Sequence, residues 1–146
     1  MNIIFRKANY IDIEGIVKLC NECFDEKTSV KEARLKYEDV VNDKNQIYLV
    51  GVIDNKIVSH VKITIVPTIF DGMSSFAILN HLCVSLEYRR HNIATKMLLE
   101  CEKICRKMNC SQMKLWSMNF RVVAHECYMR NGFKVVDAKF FSKDLN

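Results

Sequence analysis

The feature that most constrains this chain is a strand-like segment that passes through a short basic loop into a periodic helix. Residues 75–86 have the pattern of a strand, and from Ile93 apolar residues recur at the i, i+3, i+4 spacing of a helix. Arg89, Arg90 and His91 stand between the two elements. Cations are disfavoured at a helix N-terminus, where the macrodipole already places partial positive charge. We therefore expect this loop to hold an anion such as a phosphate or pyrophosphate, the alternative being that the arginines are merely solvated.

The residues that follow fit such a loop. Asn92 tolerates the left-handed backbone of a tight turn, Ala94 lets a ligand approach the backbone, and Thr95 supplies a hydroxyl. With only four glycines, the chain contains neither G-x-G-x-x-G nor G-x-x-x-x-G-K-[ST]. The expected anion site is therefore not a dinucleotide or nucleoside-triphosphate loop of those kinds.

Hydrophobic periodicity predicts the element order β-α-α-β-β-β-α-β-α-β, a mixed α/β sheet of about six or seven strands. Asp12 is expected to cap the first helix and Ser29 the second. The expected helices are residues 12–24, 28–41, 93–109 and 121–130, and the expected strands are 2–7, 46–54, 56–66, 75–86, 112–118 and one or two within 133–145. The strand at 75–86 should carry one face made of Ala77, Leu79, His81 and Cys83.

Length and cysteine content bound the class of protein. The 146 residues suit a single domain over 1–146 with one core. No apolar run approaches the roughly 20 residues of a membrane span, and the N-terminus lacks a signal-peptide pattern, so we expect a cytoplasmic location and no membrane partner. Seven cysteines, an odd number, favour free thiols in a reducing compartment. Cys20 and Cys23 form a C-x-x-C without a second ligand pair at matching spacing, so no metal is expected.

Charge is distributed unevenly along the chain. Residues 12–45 hold nine acids and six bases, a balance of −3, whereas residues 87–114 hold seven bases and three acids, a balance of +4. The first segment suits a cation and the second an anion. Nucleic-acid binding through the basic helix would need aromatic residues interleaved with the bases, and residues 89–114 contain none. No nucleic-acid partner is expected.

The segment LCVSLEYRRHNIATKML, residues 82–98, resembles the acetyl-CoA signature of the GNAT N-acetyltransferase superfamily, in which a Leu-x-Val strand leads into [QR]-x-x-G-x-[GA]. The match runs from Arg89 to Ala94, with Asn92 in place of the usual Gly. AHECYMRNGF, residues 124–133, resembles the second hallmark, A-x-x-x-Tyr-x-x-x-Gly-Phe. The resemblance, to the bacterial type that acetylates small molecules or proteins, implies a GNAT fold. Such a fold has a mixed, mostly antiparallel sheet of six to seven strands flanked by four helices.

The resemblance also implies acetyl-CoA as the acetyl-donor cosubstrate. Its pantetheine would run alongside one strand, and a bulge there would splay that strand from residues 112–118. The residues that the resemblance assigns to the cosubstrate are Leu82, Cys83 and Val84 beside pantetheine, Arg89, Arg90, His91, Asn92, Ile93, Ala94 and Thr95 at the pyrophosphate, and Arg121 and Tyr128 facing CoA.

The implied reaction is transfer of the acetyl group to a primary amine by direct attack in a ternary complex. Tyr128 takes the position of the family's general acid, which protonates the departing thiolate. Relatives often carry Glu where this chain has Asn80-His81, so the base is either His81 or a water chain polarised by Asn80. His81 could equally be a hydrogen-bonded core histidine between Leu79 and Cys83.

The acceptor would be a small-molecule or peptide amine, framed by Glu22, Asp25, Glu26 and the loop of residues 66–76. Polyamines, aminoglycosides, amino acids, peptide N-termini and lysines are all acceptors within the superfamily, and the fold does not choose among them. An alternative is a degenerate GNAT domain that binds CoA as a sensor or assembly module, suggested by Asn80 and Asn92. The last predicted strand would either close on itself or pair with a second copy as a homodimer.

Overall fold

Five strands form one sheet in the order β1-β2-β3-β4-β5 in the computed structural model, which describes residues 1–70, 72 and 74–146. The first four strands are antiparallel neighbours, and β5 runs parallel to β4. The strands are β1 (Ile4–Lys7), β2 (Gln46–Ile53), β3 (Lys56–Val66), β4 (Ser75–Val84) and β5 (Cys110–Lys114). The helices are α1 (Ile13–Phe24), α2 (Val30–Val40), α3 (Ile93–Lys107) and α4 (Val122–Arg130). The mixed α/β class, the four helices and the predicted element order up to α4 are confirmed.

The predicted count of six to seven strands is wrong, because residues 133–145 form no strand. The segment has the β-branched and aromatic composition of a strand, yet Val135, Val136 and Phe141 are exposed. Residues favour strands because they pack and pair well against a neighbouring strand. A segment of suitable composition forms no strand where that neighbour is missing. The fifth strand is also shorter than predicted and begins at Cys110.

The chain divides into two compact units, Met1–Trp116 and Ser117–Asn146. The first contains the sheet with α1, α2 and α3, and the second contains α4. Within the first unit β3 buries consecutive residues from Val58 to Val61, which requires cover on both faces of the sheet. The described part of the chain holds no helix that is both long and apolar enough to cross a membrane.

The start of α1 differs from its prediction. Asp12 immediately precedes the helix, but its side chain makes no cap hydrogen bond. Its carboxylate instead accepts the backbone N–H of Asn9 at 2.8 Å and two guanidinium N–H groups of Arg6 at 2.6 and 3.0 Å. These bonds tie β1 to the turn before α1. Ser29 caps α2 as predicted, accepting the Glu32 N–H at 3.3 Å.

Two residues of the loop predicted to frame the acceptor, Asp71 and Met73, lie outside the described residues. The β2–β3 hairpin turn has positive φ at both Asp54 and Asn55, 48° and 64°. Two successive left-handed residues are typical of the type I′ turn, whose twist matches that of the paired strands.

Candidate active site

The second half of β4 is separated from its neighbour β5. The two strands pair only between Ser75 and Ile78, so the remaining residues of β4 have no β5 partner. On the other edge the register with β3 shifts: His60 pairs with Cys83 and Lys62 with Asn80, so two β4 residues oppose one on β3. This is a β-bulge, which bends a strand and re-aims a side chain. The predicted bulge and the parting of the two strands are both present.

His81 lies in the bulge with φ 52° and leaves the core. Its side chain is 44% exposed, and its Nε2 lies 2.9 and 3.2 Å from the two carboxylate oxygens of Glu26. The ring also makes an edge contact with Phe24, with centroids 4.8 Å apart. The predicted face shared by Leu79, His81 and Cys83 is therefore wrong for His81, and so is the alternative of a core histidine. The left-handed residue at the bulge breaks the alternation that places every second side chain on one face.

Glu26 reaches His81 because of how α1 ends. Asp25 has left-handed φ and ψ of 52° and 46° at the helix C-terminus, which reverses the chain. The turn is closed by Asn21, whose side chain both accepts the Thr28 N–H at 3.0 Å and donates to the Thr28 carbonyl at 3.1 Å. Sequence reasoning placed Glu22, Asp25 and Glu26 together against the acceptor but missed the pairing of Glu26 with His81 across 55 residues.

Asn80 lies opposite Lys62 in the β3–β4 ladder and is partly buried. Among the residues that the structure describes, its side chain has no hydrogen-bond partner. The structure therefore provides no group that would fix the amide of Asn80 toward a water molecule.

The basic loop follows β4 and adopts the geometry expected of an anion-binding turn. After a short 3-10 turn at Leu86–Tyr88, Arg90 and Asn92 have positive φ of 67° and 58°. The predicted left-handed turn at Asn92 is confirmed. The side chain of Asn92 makes no cap hydrogen bond, so it leaves the first amides of α3 uncapped.

Two of the three basic side chains brace this loop. Arg89 Nε donates to the Val84 carbonyl at 3.2 Å, and its guanidinium lies 4.0 Å from the thiol of Cys23. His91 Nδ1 donates to the carbonyls of Arg89 and Tyr88 at 2.9 and 3.2 Å. Each bond uses a donor that a bound anion would otherwise take. The sequence had assigned both side chains to the pyrophosphate.

Arg90 differs from its two neighbours. It is exposed, and the structure gives its side chain no hydrogen bond or ion pair with residues 1–70, 72 or 74–146. Of the three basic residues, Arg90 is therefore the one whose guanidinium is available to an anion. Ile93 buries its side chain in the core, so it can contribute only its backbone N–H. Ala94 and Thr95 are partly buried in the first turn of α3.

The beginning of the loop is held by an exposed ion pair. Lys56 Nζ lies 2.5 Å from Glu87 Oε1. The hydrogen bond to Glu87 raises the pKa of Lys56.

The thiol of Cys23 lies nearer β4. Hydrogen bonds from Cys83 and, to a smaller extent, from Arg89 lower the pKa of Cys23.

The second unit explains the Tyr-x-x-x-Gly-Phe spacing. After α4 the Phe133 N–H donates to the Tyr128 carbonyl at 3.1 Å and the Gly132 N–H to the Met129 carbonyl at 3.2 Å. These two bonds, with Gly132 at φ 90°, form a Schellman motif. The Tyr128 and Phe133 rings pack edge to face at 5.9 Å. Arg121 stands at the N-cap position of α4.

Comparison with known structures supports this description of the fold. A transcriptional regulator from Bacillus halodurans C-125 superposes with a TM-score of 0.90 at 17% identity, covering 98% of this chain and 100% of that chain. A GNAT family acetyltransferase from Staphylococcus aureus gives 0.80 at 21% identity, covering 99% and 100%. A predicted acetyltransferase from Clostridium acetobutylicum, solved with acetyl-CoA, gives 0.80 at 18% identity, covering 99% and 97%. At these identities the likeness shows the fold alone.

A sequence search of curated proteins found no match. A family profile did match: that of the acetyltransferase (GNAT) family aligns with residues 13–133. This range contains α1, the complete strand-loop-helix of the basic loop, and α4 through Phe133. The chain therefore belongs to the acetyltransferase (GNAT) family.

Proposed function

We propose that the chain is an acetyl-CoA-dependent N-acetyltransferase that transfers the acetyl group to a primary amine by direct attack in a ternary complex. The observation that carries this proposal is the hydrogen-bonded pair of His81 and Glu26. The pair is exposed and lies on the part of β4 that has no pairing with β5. A histidine held by a carboxylate at the edge of an open strand is a suitable general base. Asn80, which lacks a partner for its side chain in the described residues, is the weaker candidate.

The donors present fit acetyl-CoA. Arg90 offers an uncommitted guanidinium, and the side chain of Asn92 does not cap the amides of Ile93 and Ala94 at the start of α3. The backbone of Leu82, Cys83 and Val84 lies beyond the last β5 pair and would run beside the pantetheine. Bound acetyl-CoA would supply an acetyl group activated as a thioester.

Within this proposal, two different side chains carry out the two proton transfers of the reaction. His81 takes a proton from the attacking amine, and Glu26 orients the imidazole. Tyr128 gives a proton to the leaving thiolate, an assignment that rests on its sequence motif, as does the assignment of Arg121 to CoA. The acids Glu22 and Asp25 remain candidates for attracting a cationic acceptor.

The observations weigh against the alternative of a degenerate, non-catalytic CoA-binding domain. That alternative was motivated by Asn92 in place of Gly and by Asn80 in place of Glu. Asn92 adopts the left-handed conformation that Gly would supply. His81 brings a titratable group, with a carboxylate partner, to the edge where a base is required.

The protein should be incubated with acetyl-CoA and a panel of amines, comprising a polyamine, an aminoglycoside, an amino acid and a lysine peptide. Release of the CoA thiol is followed continuously. The mass of the product is measured by mass spectrometry. Amine-dependent thiol release with one added acetyl group supports the proposal. Acetyl-CoA binding without acetylation of any amine would support the sensor alternative, and absence of binding would contradict both.

A further inference from the structure

Three side chains with metal-binding atoms converge between α1, β3 and β4, beneath the bulge. They are Cys20, His60 and Cys83, all of them buried. Cys20 Sγ lies 4.0 Å from Cys83 Sγ and 3.7 Å from His60 Nδ1, and the three ligand atoms lie within 4.8 Å of one another. The side chains of these three residues have no role in the acetyl transfer proposed above, which uses only the backbone of Cys83.

The separation of the two sulfurs is close to one edge of a tetrahedral zinc site. With Zn–S bonds of about 2.3 Å, tetrahedral geometry separates two sulfurs by about 3.8 Å, and Cys20 Sγ and Cys83 Sγ lie 4.0 Å apart. The His60 ring lies beside this pair, with a nitrogen within 4.8 Å of both sulfurs.

His60 supplies an independent observation. Its Nδ1 donates to the His81 carbonyl at 3.0 Å, while its Nε2 is buried with no hydrogen-bond partner in the described residues. A buried polar atom without a partner is costly and rare. One ring nitrogen bonded to a backbone carbonyl and the other left to an ion is the arrangement that metal-bound histidines adopt.

Cys23 offers a fourth thiol. It follows Cys20 by one helical turn of α1, and its Sγ donates to the Val84 carbonyl at 3.7 Å, so a change of its rotamer would bring it to the ion. Three thiolates and one divalent cation carry a net charge of −1, which needs compensation in a buried site. The Arg89 guanidinium, 4.0 Å from Cys23 Sγ, provides it.

We propose that Cys20, His60 and Cys83, completed by Cys23, form a closed structural site for a thiophilic divalent cation such as Zn²⁺. Each thiol coordinates as a thiolate and releases its proton to solvent. The ion would fasten α1 to β3 and β4 directly below His81. The sequence did not predict this site because the ligands that complete Cys20 lie 40 and 63 residues away on two strands.

The test uses the reduced, metal-free full chain titrated with Co²⁺, whose absorption reports both ligand type and geometry. We expect one equivalent to give thiolate-to-cobalt charge-transfer bands and tetrahedral d–d bands, which Zn²⁺ then abolishes. Cys83→Ser and His60→Ala should weaken Co²⁺ binding by at least about 100-fold, more than the loss of a residue that only orients a ligand. Cys105→Ser, which removes a buried thiol of α3, is the matched control and should bind Co²⁺ like the wild type.

Several results would overturn the site. Wild-type protein that takes up no stoichiometric Co²⁺ excludes it, and so does a spectrum without sulfur charge transfer. Unchanged binding in both cluster variants, or loss of binding in Cys105→Ser, places the ion elsewhere. If circular dichroism shows that a cluster variant is unfolded, the wild-type cobalt spectrum alone decides between a tetrahedral sulfur site and none.

Discussion

His81 Nε2 lies 2.9 Å from Glu26 Oε2, which joins the bulge of β4 to the turn that follows α1. A carboxylate in this position holds the imidazole in one orientation. Because Glu26 contacts His81, its role in the proposed reaction is that of a positioning residue.

Glu26→Gln should therefore lower kcat by about 10-fold, less than the roughly 100-fold or more expected for loss of the general base itself, and leave the KM for acetyl-CoA nearly unchanged. Steady-state kinetics with a fixed amine measures both quantities. Glu38→Gln, which removes an exposed acid of α2, is the control and should keep the wild-type kcat. Equal losses in the two variants would mean that general negative charge matters and the pair does not.

Tyr128→Phe should lower kcat by about 10- to 100-fold, because the phenol is the proposed proton donor. Phenylalanine retains the edge-to-face contact with Phe133, so circular dichroism should show a folded variant. Tyr37→Phe, which loses a hydrogen bond of 3.2 Å to the Ala8 carbonyl, is the matched control and should turn over normally. Unchanged turnover of Tyr128→Phe at every pH would remove Tyr128 from the mechanism.

Arg90→Gly separates charge from backbone strain in the basic loop. Glycine accepts the φ of 67° at no steric cost, so stability should be equal to or slightly above that of the wild type. The dissociation constant for acetyl-CoA should nevertheless rise about 10-fold, since one charge-assisted contact is lost. Calorimetric titration at one fixed salt concentration measures it, with Arg106→Ala on the last turn of α3 as the control. Tight binding by Arg90→Gly would show that the guanidinium does not contact the anion.

The Arg6–Asp12 pair predicts a pH-dependent part of the stability. The hydrogen bond from Arg6 lowers the pKa of Asp12, so the folded state favours its carboxylate. Such a group stabilises fully above its unfolded pKa of about 3.9, and the contribution is lost as the pH falls through the folded value. Asp12→Asn should cost about 1–2 kcal/mol at pH 7, because the buried carboxylate holds charged hydrogen bonds to a partly exposed arginine. Urea unfolding should show this difference shrinking below about pH 4; a constant difference down to pH 2 would contradict the account.

The helices α3 and α4 could be predicted from the sequence. For α3 the reason is that its apolar pattern repeats over several turns. Five apolar positions of α3, from Ile93 to Cys105, repeat one period, and the predicted end differs from the observed Lys107 by only two residues. Gly132 is recognisable as the end of α4 because only a residue that accepts positive φ closes the Schellman motif.

Features set by a single residue could not be predicted. One extra residue in β4 moves His81 from the core face to the exposed edge, and nothing in an alternating sequence marks where a bulge occurs. Arg89, Arg90 and His91 look equivalent in sequence. In the folded loop, however, the side chains of Arg89 and His91 donate hydrogen bonds to backbone carbonyl groups, and that of Arg90 does not. The prediction of a C-terminal strand was wrong for a related reason. Residues 133–145 have the composition of a strand, but a strand forms only where a neighbouring strand offers its backbone for pairing.

The measurement that tests the central claim most directly is the amine acetylation rate of His81→Gly with and without added imidazole. Glycine accepts the φ of 52° at this position, so the variant should fold without strain. We predict a kcat lower by about 100-fold or more, an acetyl-CoA KM near the wild-type value, and partial recovery of the rate with imidazole. Wild-type protein and Asn80→Ala should not respond to imidazole. Full activity of His81→Gly, or loss of activity in Asn80→Ala instead, would contradict His81 as the base.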